Sequence, residues 1–351
     1  MKALYVCSFD PNCSTNSYFF DWMQEFKSIG FEIFNSYNQK PFDFKKIINP
    51  FSYDVIVFGY SVLSNLYGRP KQILKLITKF SKATKIGFMQ NEFRNLSKYI
   101  KTYESFNIDI IVSQFSQELA TELYSGRTKA KIISLPHAIT TKHKETSFNH
   151  KKRSVDLGGR LRQYAYYLGN YKRFSVIPKF IKKIKKEKNF IIDFSTEEKD
   201  RFTHSDWYNF LSNSRATVSC ESGNSFLQWS DTLRNKINEL TTQDNKIKFS
   251  YIFENILKKS NSHFDGSLVS SRHFEAIANG SCNLLVEGNY QGLIEADKHY
   301  IELKSDLSNY NQVLESLNDF KVTEKIAAKA FDHCKKHHTI KKRISKLLKS
   351  I

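Results

Sequence analysis

The stretch SSRHFEAIANGSCNLLVEGNYQGLIEADKHYIELKSDLSNYNQVLESL (270–317) decides how the rest of this 351-residue chain is read. HFEAIANG (273–280) has the period of a helix and stops on a glycine, the residue most at ease in a left-handed C-cap. CNLLVE (282–287) is an apolar run of strand length. YIEL (300–303) is a second such run. Asp306 to Asn309 forms an N-cap region ahead of the helical NQVLESL (311–317). Helix, buried strand, short connection, strand and helix together make an α/β unit.

The same alternation runs outward along the chain. KALYVCSF (2–9), FEIFNS (31–36), YDVIVFGY (53–60), TKIGFMQ (84–90), IDIIVSQ (108–114) and AKIISLP (130–136) read as strands. Helical stretches lie between them, from about Thr15 to Ile29, over RPKQILKLITKFSKA (69–83) and over SQELATELYSG (116–126). Short apolar strands alternating with helices predict βαβ units and a parallel sheet covered on both faces, a Rossmann-like domain over 1–140. Residues 141–153 are polar and aperiodic and read as a linker. The pattern then restarts over 154–330. SVDLGG (154–159) is a strand with a glycine turn, FSVIPKFIKKIKKEK (174–188) a basic amphipathic helix, and FIIDFS (190–195) and ATVSCE (216–221) are strands. The end, with 331–351 as its basic helix, has helical periodicity. Two Rossmann-like halves facing each other across a cleft are expected.

Composition bounds the class. Hydrophobic residues make up 40% and charged residues 25%, which suits a globular protein with sizeable cores. No apolar run is long enough for a transmembrane helix. The N-terminus turns polar too soon for a signal peptide, so the expected location is the cytoplasm. Five cysteines (Cys7, Cys13, Cys220, Cys282, Cys334) at irregular spacings support neither a disulfide framework nor a zinc site. The formal charge of +19 favours anionic partners, although AT-rich codon usage contributes lysine for its own reasons. KFIKKIKKEK (179–188) and KKHHTIKKRISKLLK (335–349) are lysine-rich amphipathic runs. A solvated face, docking on the inner face of an anionic membrane, and nucleic-acid binding all compete there. With no RNP-type, helix-turn-helix or zinc motif, no nucleic-acid partner is expected. His337-His338 reads as part of a solvated helix face.

Arg272-His273-Phe274-Glu275-Ala276, followed by Asn279-Gly280, resembles the signature of group-1 glycosyltransferases with a GT-B fold. HYIELKSDLSNY (299–310) resembles the matching piece of their surface-polysaccharide branch. The resemblance is densest over about 50 residues and weaker, but continuous, over the rest of the second half. It implies a transferase that moves a sugar from a nucleotide-sugar donor to a saccharide or lipid-linked acceptor, in capsule, O-antigen or lipopolysaccharide synthesis. It also implies that Glu275 hydrogen-bonds the ribose hydroxyls, since a carboxylate can accept from both members of a vicinal diol. Ser267 stands where the retaining branch has a second glutamate. Glu221-Ser222-Gly223 resembles a strand-end loop of the same families and is a candidate substitute. A catalytically silent GT-B-like module that binds glycans or a partner enzyme is the alternative that this departure leaves open.

A diphosphate leaving group needs positive charge or amide dipoles. Arg160, Arg162 and Arg272 are candidates, and Gly158-Gly159-Arg160 resembles the Gly-Arg loop that approaches donor phosphates, with Gly159 allowing close backbone approach. No DxD, HExxH, GxGxxG or Walker motif is present. The expectation is therefore a metal-independent enzyme with no cofactor beyond its donor substrate. The first half would bind the acceptor through its strand-end loops SFDPNCSTN (8–16), GYSVLSN (59–65), MQNEFRN (89–95) and PHA (136–138). Asp10, Glu92 and His137 are the candidate catalytic bases.

Overall fold

Ala3–Cys7 (β1) is buried at every one of its 5 positions, as a central parallel strand covered on both faces must be. The computed structural model describes residues 1–10, 17–37, 52–63, 74–75, 78–79, 81–140, 146–261 and 264–351. Most of the helix expected over 69–83 lies outside these residues. So do Cys13, the expected helix start at Thr15, and 141–145 of the expected linker. The chain divides into two compact units. Unit 1 is Met1–Pro136 with Trp229–Asp231 and Arg343–Ile351, and unit 2 is His137–Gln228 with Thr232–Lys342.

In unit 1, β1 is joined by β2 (Glu32–Asn35), β3 (Val55–Phe58), β4 (Thr84–Phe88), β5 (Ile110–Ser113) and β6 (Lys131–Ser134). Their order is β2-β1-β3-β4-β5-β6, and every pairing is parallel. Three of its helices are α1 (Ser17–Ser28), α2 (Leu96–Ser105) and α3 (Gln117–Tyr124). Trp22 and Phe26 sit one turn apart on α1 and both face the sheet. Trp22 packs edge-on to Phe88 at 5.1 Å and Tyr60 at 5.7 Å, and Phe26 stacks on Tyr5 at 4.5 Å. Aromatic edges and faces fill the space between helix and sheet.

Unit 2 holds β7 (Val155–Arg160), β8 (Ile192–Ser195), β9 (Ser214–Ser219), β12 (Cys282–Val286) and β13 (Ile301–Leu303) in a second parallel sheet, ordered β13-β12-β9-β7-β8. A separate antiparallel pair is formed by β10 (Ser222–Leu227) and β11 (Phe264–Leu268). The helices are α4 (Ile177–Ile184), α5 (His204–Asn213), α6 (Thr232–Gln243), α7 (Phe249–Ile252), α8 (Ser271–Ala278), α9 (Tyr310–Asn318) and α10 (Phe320–His337). Last comes α11 (Ile340–Leu348), which the division between units crosses. Leu157, Ile177, Phe180, Ile184, Val218, Leu284 and Leu303 are the centre of one core, between the sheet and α4, α9 and α10.

Three details differ from the sequence reading. Gly158 and Gly159 lie within β7 and do not form a turn. A side chain at Gly158 would collide with Phe210 and Ser214, both 2.6 Å from its Cβ, and one at Gly159 with Phe194 at 2.6 Å. The two glycines let aromatic rings close over the strand. Glu221-Ser222-Gly223 is not an extended loop, because Ser222 already begins β10. Gly223 has φ +97, and its Cβ would lie 2.0 Å from the Gly266 carbonyl, so no other residue fits this sheet crossing. Finally, the helical run at the C-terminus is broken. Ile139 N–H donates to the His338 carbonyl at 2.9 Å and Ile340 N–H to the Ile139 carbonyl at 3.0 Å, a bridge that pulls Thr339 out of helical geometry.

His150 ties unit 2 together, with Nε2 donating to the Gly280 carbonyl at 2.7 Å and Nδ1 2.8 Å from Thr323 Oγ1. Burial lowers its pKa from 6.5 to about 4, and the nearby Arg153 charge adds to that against the pull of Gly280. Burial also lowers His137 to about 4 and His273 to about 3. Unfolded, all three take up a proton near 6.5; folded, they resist it. Their contribution is therefore complete above pH 6.5 and is lost as pH falls toward 4. Chemical denaturation across that window is expected to show unit 2 weakening in acid, and His150→Gln to reduce the loss by on the order of 2 kcal/mol. An unchanged pH slope in the variant contradicts this account.

Candidate functional site

In a parallel sheet, ligands gather beyond the carboxyl ends of the strands at the point where strand order reverses. In unit 2 that point lies between β7 and β9, because β8 continues on one side of β7 and β12 and β13 continue beyond β9. Arg160 ends β7, and Cys220 and Glu221 follow β9.

Glu221 is buried and joins three segments. Its Oε2 takes a 2.7 Å bond from Lys172 Nζ, its Oε1 a 2.9 Å bond from Tyr290 N–H, and its carbonyl a 2.8 Å bond from Asn170 Nδ2. Gly288 allows the carboxylate this close, since a Cβ there would lie 2.4 Å from Oε2. Beyond Asn170 the chain enters α4 through one turn of π-helix, Lys172–Val176. Such turns recur at functional sites because they redirect side chains out of helical register.

Arg173 lies on that turn and is 5% exposed. Its guanidinium sits 4.0 Å over the Tyr164 ring and donates through Nη1 to the Arg162 carbonyl at 3.1 Å. Its Nε is buried and has no hydrogen-bond partner among the described residues. Burial raises the Tyr164 pKa, but the Arg173 and Arg272 charges, together with the polar Ser222 side chain, outweigh it and hold the phenol below 10. Two arginine charges thus act on one tyrosine.

Arg272 and Glu275 lie one turn apart on α8. The helix opens with a reciprocal cap. Ser270 accepts from the His273 N–H, and His273 Nδ1 accepts from the Ser270 N–H at 3.1 Å. That bond requires Nδ1 to be unprotonated, which agrees with the depressed pKa of His273. Glu275 is buried, and its Oε2 accepts from Trp207 Nε1 at 2.7 Å. Trp207 stacks on Phe210 at 5.5 Å, which fixes the indole and with it the carboxylate.

Arg160 is engaged differently. It donates to Asp193 Oδ1 at 2.7 Å, to the carbonyls of Asp193 and Gly159 at 2.9 and 3.0 Å, and through Nε to the Asp200 carbonyl at 3.1 Å. Phe202 and Phe210 cover its guanidinium at 4.7 and 4.6 Å. Arg162 pairs with Glu198 at 3.2 Å on the surface. The predicted donor residues therefore split. Glu221, Ser222 and Arg272 join one cluster through Tyr164 and Lys172, Glu275 follows on the same helix, and Arg160 with Gly159 belongs to the packing between β7 and β8. The sequence reading passed over Tyr164, Asn170, Lys172, Arg173 and Trp207. The Lys-Arg pair directly after Gly169-Asn170-Tyr171 was the signal available.

In unit 1 the order reverses between β1 and β3. Asp10 stands half-buried just past β1, where Ser8 N–H donates to Ser61 Oγ at 2.9 Å across the reversal. Glu92 is 2% exposed. It accepts from Ser113 Oγ at 2.6 Å, Gln114 N–H at 2.7 Å and Tyr124 Oη at 2.8 Å. Burial raises its pKa to about 7 against the pull of these three bonds. Tyr124 packs against Trp229 at 6.2 Å, and Arg127 lies 4.7 Å over the same indole. Asp231 caps α2 by accepting from Asn95 N–H at 3.1 and 3.2 Å. His137, expected among the first-half loops, is the first residue of unit 2 and interacts electrostatically with His273. Among the described residues, no three His, Cys, Asp or Glu side chains gather as a metal site. No helix among the described residues is long and apolar enough to cross a membrane.

Two titrations test these surroundings. Tyrosinate absorbance should show one phenol ionising below pH 10, and Tyr164→Phe should remove that component. For Glu92 the sign is opposite to that of the histidines. Its folded pKa of about 7 exceeds the ordinary 4.5, so its contribution to unit 1 is complete below pH 4.5 and is lost as pH rises through 7. Glu92→Gln is expected to abolish this slope, read from denaturation midpoints at several pH values.

No protein-family model matches the chain, and no curated protein matches it by sequence. Solved structures do match over its length. An α-glucosyltransferase held with UDP and a 13-mer DNA superposes with a TM-score of 0.62 at 11% identity, over 99% of this chain and 98% of that one. HepE of Anabaena, solved with UDP-glucose, gives 0.55 at 9% identity over all of both chains. Sucrose-phosphate synthase of Thermosynechococcus elongatus gives 0.53 at 10% identity, over 100% of this chain and 99% of that one. With its two parallel sheets of six and five strands, the chain has the GT-B fold of these glycosyltransferases.

Proposed function

We propose that this chain is a glycosyltransferase that binds a nucleotide-sugar in unit 2 and transfers its sugar to a saccharide or lipid-linked acceptor in surface-glycan assembly. The cluster of Lys172, Arg173, Arg272, Tyr164 and Ser222 at the β7/β9 reversal carries the reading. It places two arginines, one with an unpartnered buried Nε, beside the N-terminus of α8. Guanidinium groups and a helix N-terminus suit phosphate oxygens, and both gain strength as the diphosphate leaves and its charge grows. Tyr164 supplies a neutral phenol that holds the two arginines in place until an anion arrives. Glu275, one turn further along α8, then meets the ribose diol while Trp207 keeps its carboxylate oriented. UDP in the bound states of HepE and the α-glucosyltransferase makes UDP the first nucleotide to test.

In the transfer step, the bond from the sugar's anomeric carbon to the diphosphate breaks and its electron pair leaves with the phosphate. The acceptor oxygen bonds to that carbon and gives up its proton. Arg173 and Arg272 offset the leaving charge without a metal, while Lys172 stays paired with Glu221. Asp10, Glu92 and His137 remain the groups proposed on the acceptor side. Asp10 is the one of the three that solvent reaches, while Glu92 and His137 are buried.

Calorimetric titration with UDP, GDP, CMP and dTDP should give saturable binding of at least one nucleotide in the presence of a chelator. Glu275→Gln should weaken it about 10- to 100-fold, since one acceptor of a charged pair is lost. Pyrophosphate should bind this variant normally and should be lost in Arg272→Gln. A heat-silent response to all four nucleotides would sink the proposal.

A further inference from the structure

We infer that α4 of unit 2, with the turn that follows it, is a docking surface for an anionic lipid bilayer. Ile177, Phe180, Ile181 and Ile184 face the core, and their positions leave a single outer face. Beyond exposed Pro178 in its first turn, that face is lysine. Lys179, Lys182, Lys183 and Lys186 fall within about 100° of the helix circumference, over roughly 10 Å of its length. Lys185 and Lys188 flank them, and all six are exposed.

Lysine near a helix C-terminus is ordinarily explained by the helix dipole or by surface ion pairs. Here ion pairs are missing. No carboxylate lies within salt-bridge distance of any of the six among the described residues, whereas Lys258 and Lys298 elsewhere in unit 2 have such partners at 2.8 and 3.2 Å. The one acid in the run, Glu187, accepts from Tyr310 Oη at 3.0 Å. Lys183 lies 3.6 Å over that same ring, which anchors one lysine and leaves the others to solvent. A stripe of unpaired like charge costs repulsion, and an anionic surface relieves it.

Two features choose a bilayer over nucleic acid. Ile191 stands 61% exposed three residues beyond Lys188, at the start of edge strand β8. An exposed apolar side chain close in sequence to a basic stripe suits insertion into a lipid interface and has no use against a phosphodiester backbone. The stripe also contains no arginine and no exposed aromatic, the residues that grip phosphates bidentately and stack on bases. Lysine is a point charge suited to a fluid layer of headgroups. None of these residues belongs to the donor cluster, so the inference does not rest on the proposed chemistry.

The test is sedimentation of the full chain with vesicles of phosphatidylcholine alone and of phosphatidylcholine with phosphatidylglycerol. Binding is expected only to the second, and to fall with salt. Lys179→Gln/Lys182→Gln/Lys186→Gln should weaken it on the order of 100-fold, at roughly 5-fold per lysine. A matched triple at exposed positions on and just after α11, Lys341→Gln/Lys346→Gln/Lys349→Gln, changes net charge equally and should cost no more than a few-fold. Ile191→Asn should weaken binding without altering its salt dependence. Nucleotide binding should be unchanged in all variants. Equal losses in the two triples would show that bulk charge acts, and no stripe. Failure to bind the anionic vesicles, or tighter binding of a random oligonucleotide that the stripe triple abolishes, overturns the inference.

Discussion

The carboxyl end of the unit 2 sheet depends on one buried carboxylate. Glu221 follows directly from β9, and its three bonds fix the Lys172 turn, the loop at Tyr290 and the entry to α4. A buried charge is tolerated only when paired and hydrogen-bonded, so the partners are not optional. Removing the Lys172 or Tyr290 partner leaves a carboxylate oxygen unsatisfied out of water, and removing Asn170 leaves the Glu221 carbonyl so. The consequence is geometric. Lys172 is tied down, and the next residue, Arg173, is thereby aimed at Tyr164 from the same π turn. The positive site is built by neutralising its first lysine and exposing the charge of its neighbours.

Tyr164 answers a second constraint. Arg173 and Arg272 repel each other, and neither has a carboxylate partner at the distances of an ion pair among the described residues. A carboxylate between them would cancel the charge that a phosphate needs. A phenol gives Arg173 a π face and carries no fixed charge to cancel that of Arg272. Glu92 in unit 1 shows the contrasting solution. There three donors converge on a carboxylate, yet burial still lifts its pKa to about 7. Hydrogen bonds there offset desolvation only in part.

Strand positions were legible in the sequence because parallel strands are apolar throughout. Each of β1, β3, β5 and β12 is a fully buried run. The FEA helix was equally clear, since its glycine stop and the strand behind it are local signals. What stayed hidden depends on contacts distant in sequence. Gly158 and Gly159 looked like a turn because glycine usually marks one, and only Phe210 and Phe194 show why a strand needs them. Arg160 looked like a phosphate ligand from its Gly-Gly neighbours, yet Asp193 and Asp200 occupy its donors. β10 (Ser222–Leu227) and β11 (Phe264–Leu268) are largely polar and far apart in sequence, so no periodicity announced them. Arg173 was missed because a helical reading of 174–188 begins one residue too late.

The net charge of +19 turns out to have several origins. Arg153 shows the first. It donates to the carbonyls of Leu211, Ser214, Ser147 and Asn279, and burial lowers its pKa to about 10. Like Arg160, it gathers carbonyls that the ends of helices and strands leave unsatisfied. Such arginines are internal connectors whose charge reaches solvent weakly. Arg173 and Arg272 form a second group, directed at Tyr164. The exposed lysines form a third, and they alone present charge to large partners. A codon-driven excess of lysine would spread over every exposed face and meet acids where acids occur. On α4 it does not, for the outer face is lysine alone while its one acid turns to Tyr310. Charge is informative here by location and residue type, because guanidinium groups are used where geometry matters and ammonium groups where only sign does.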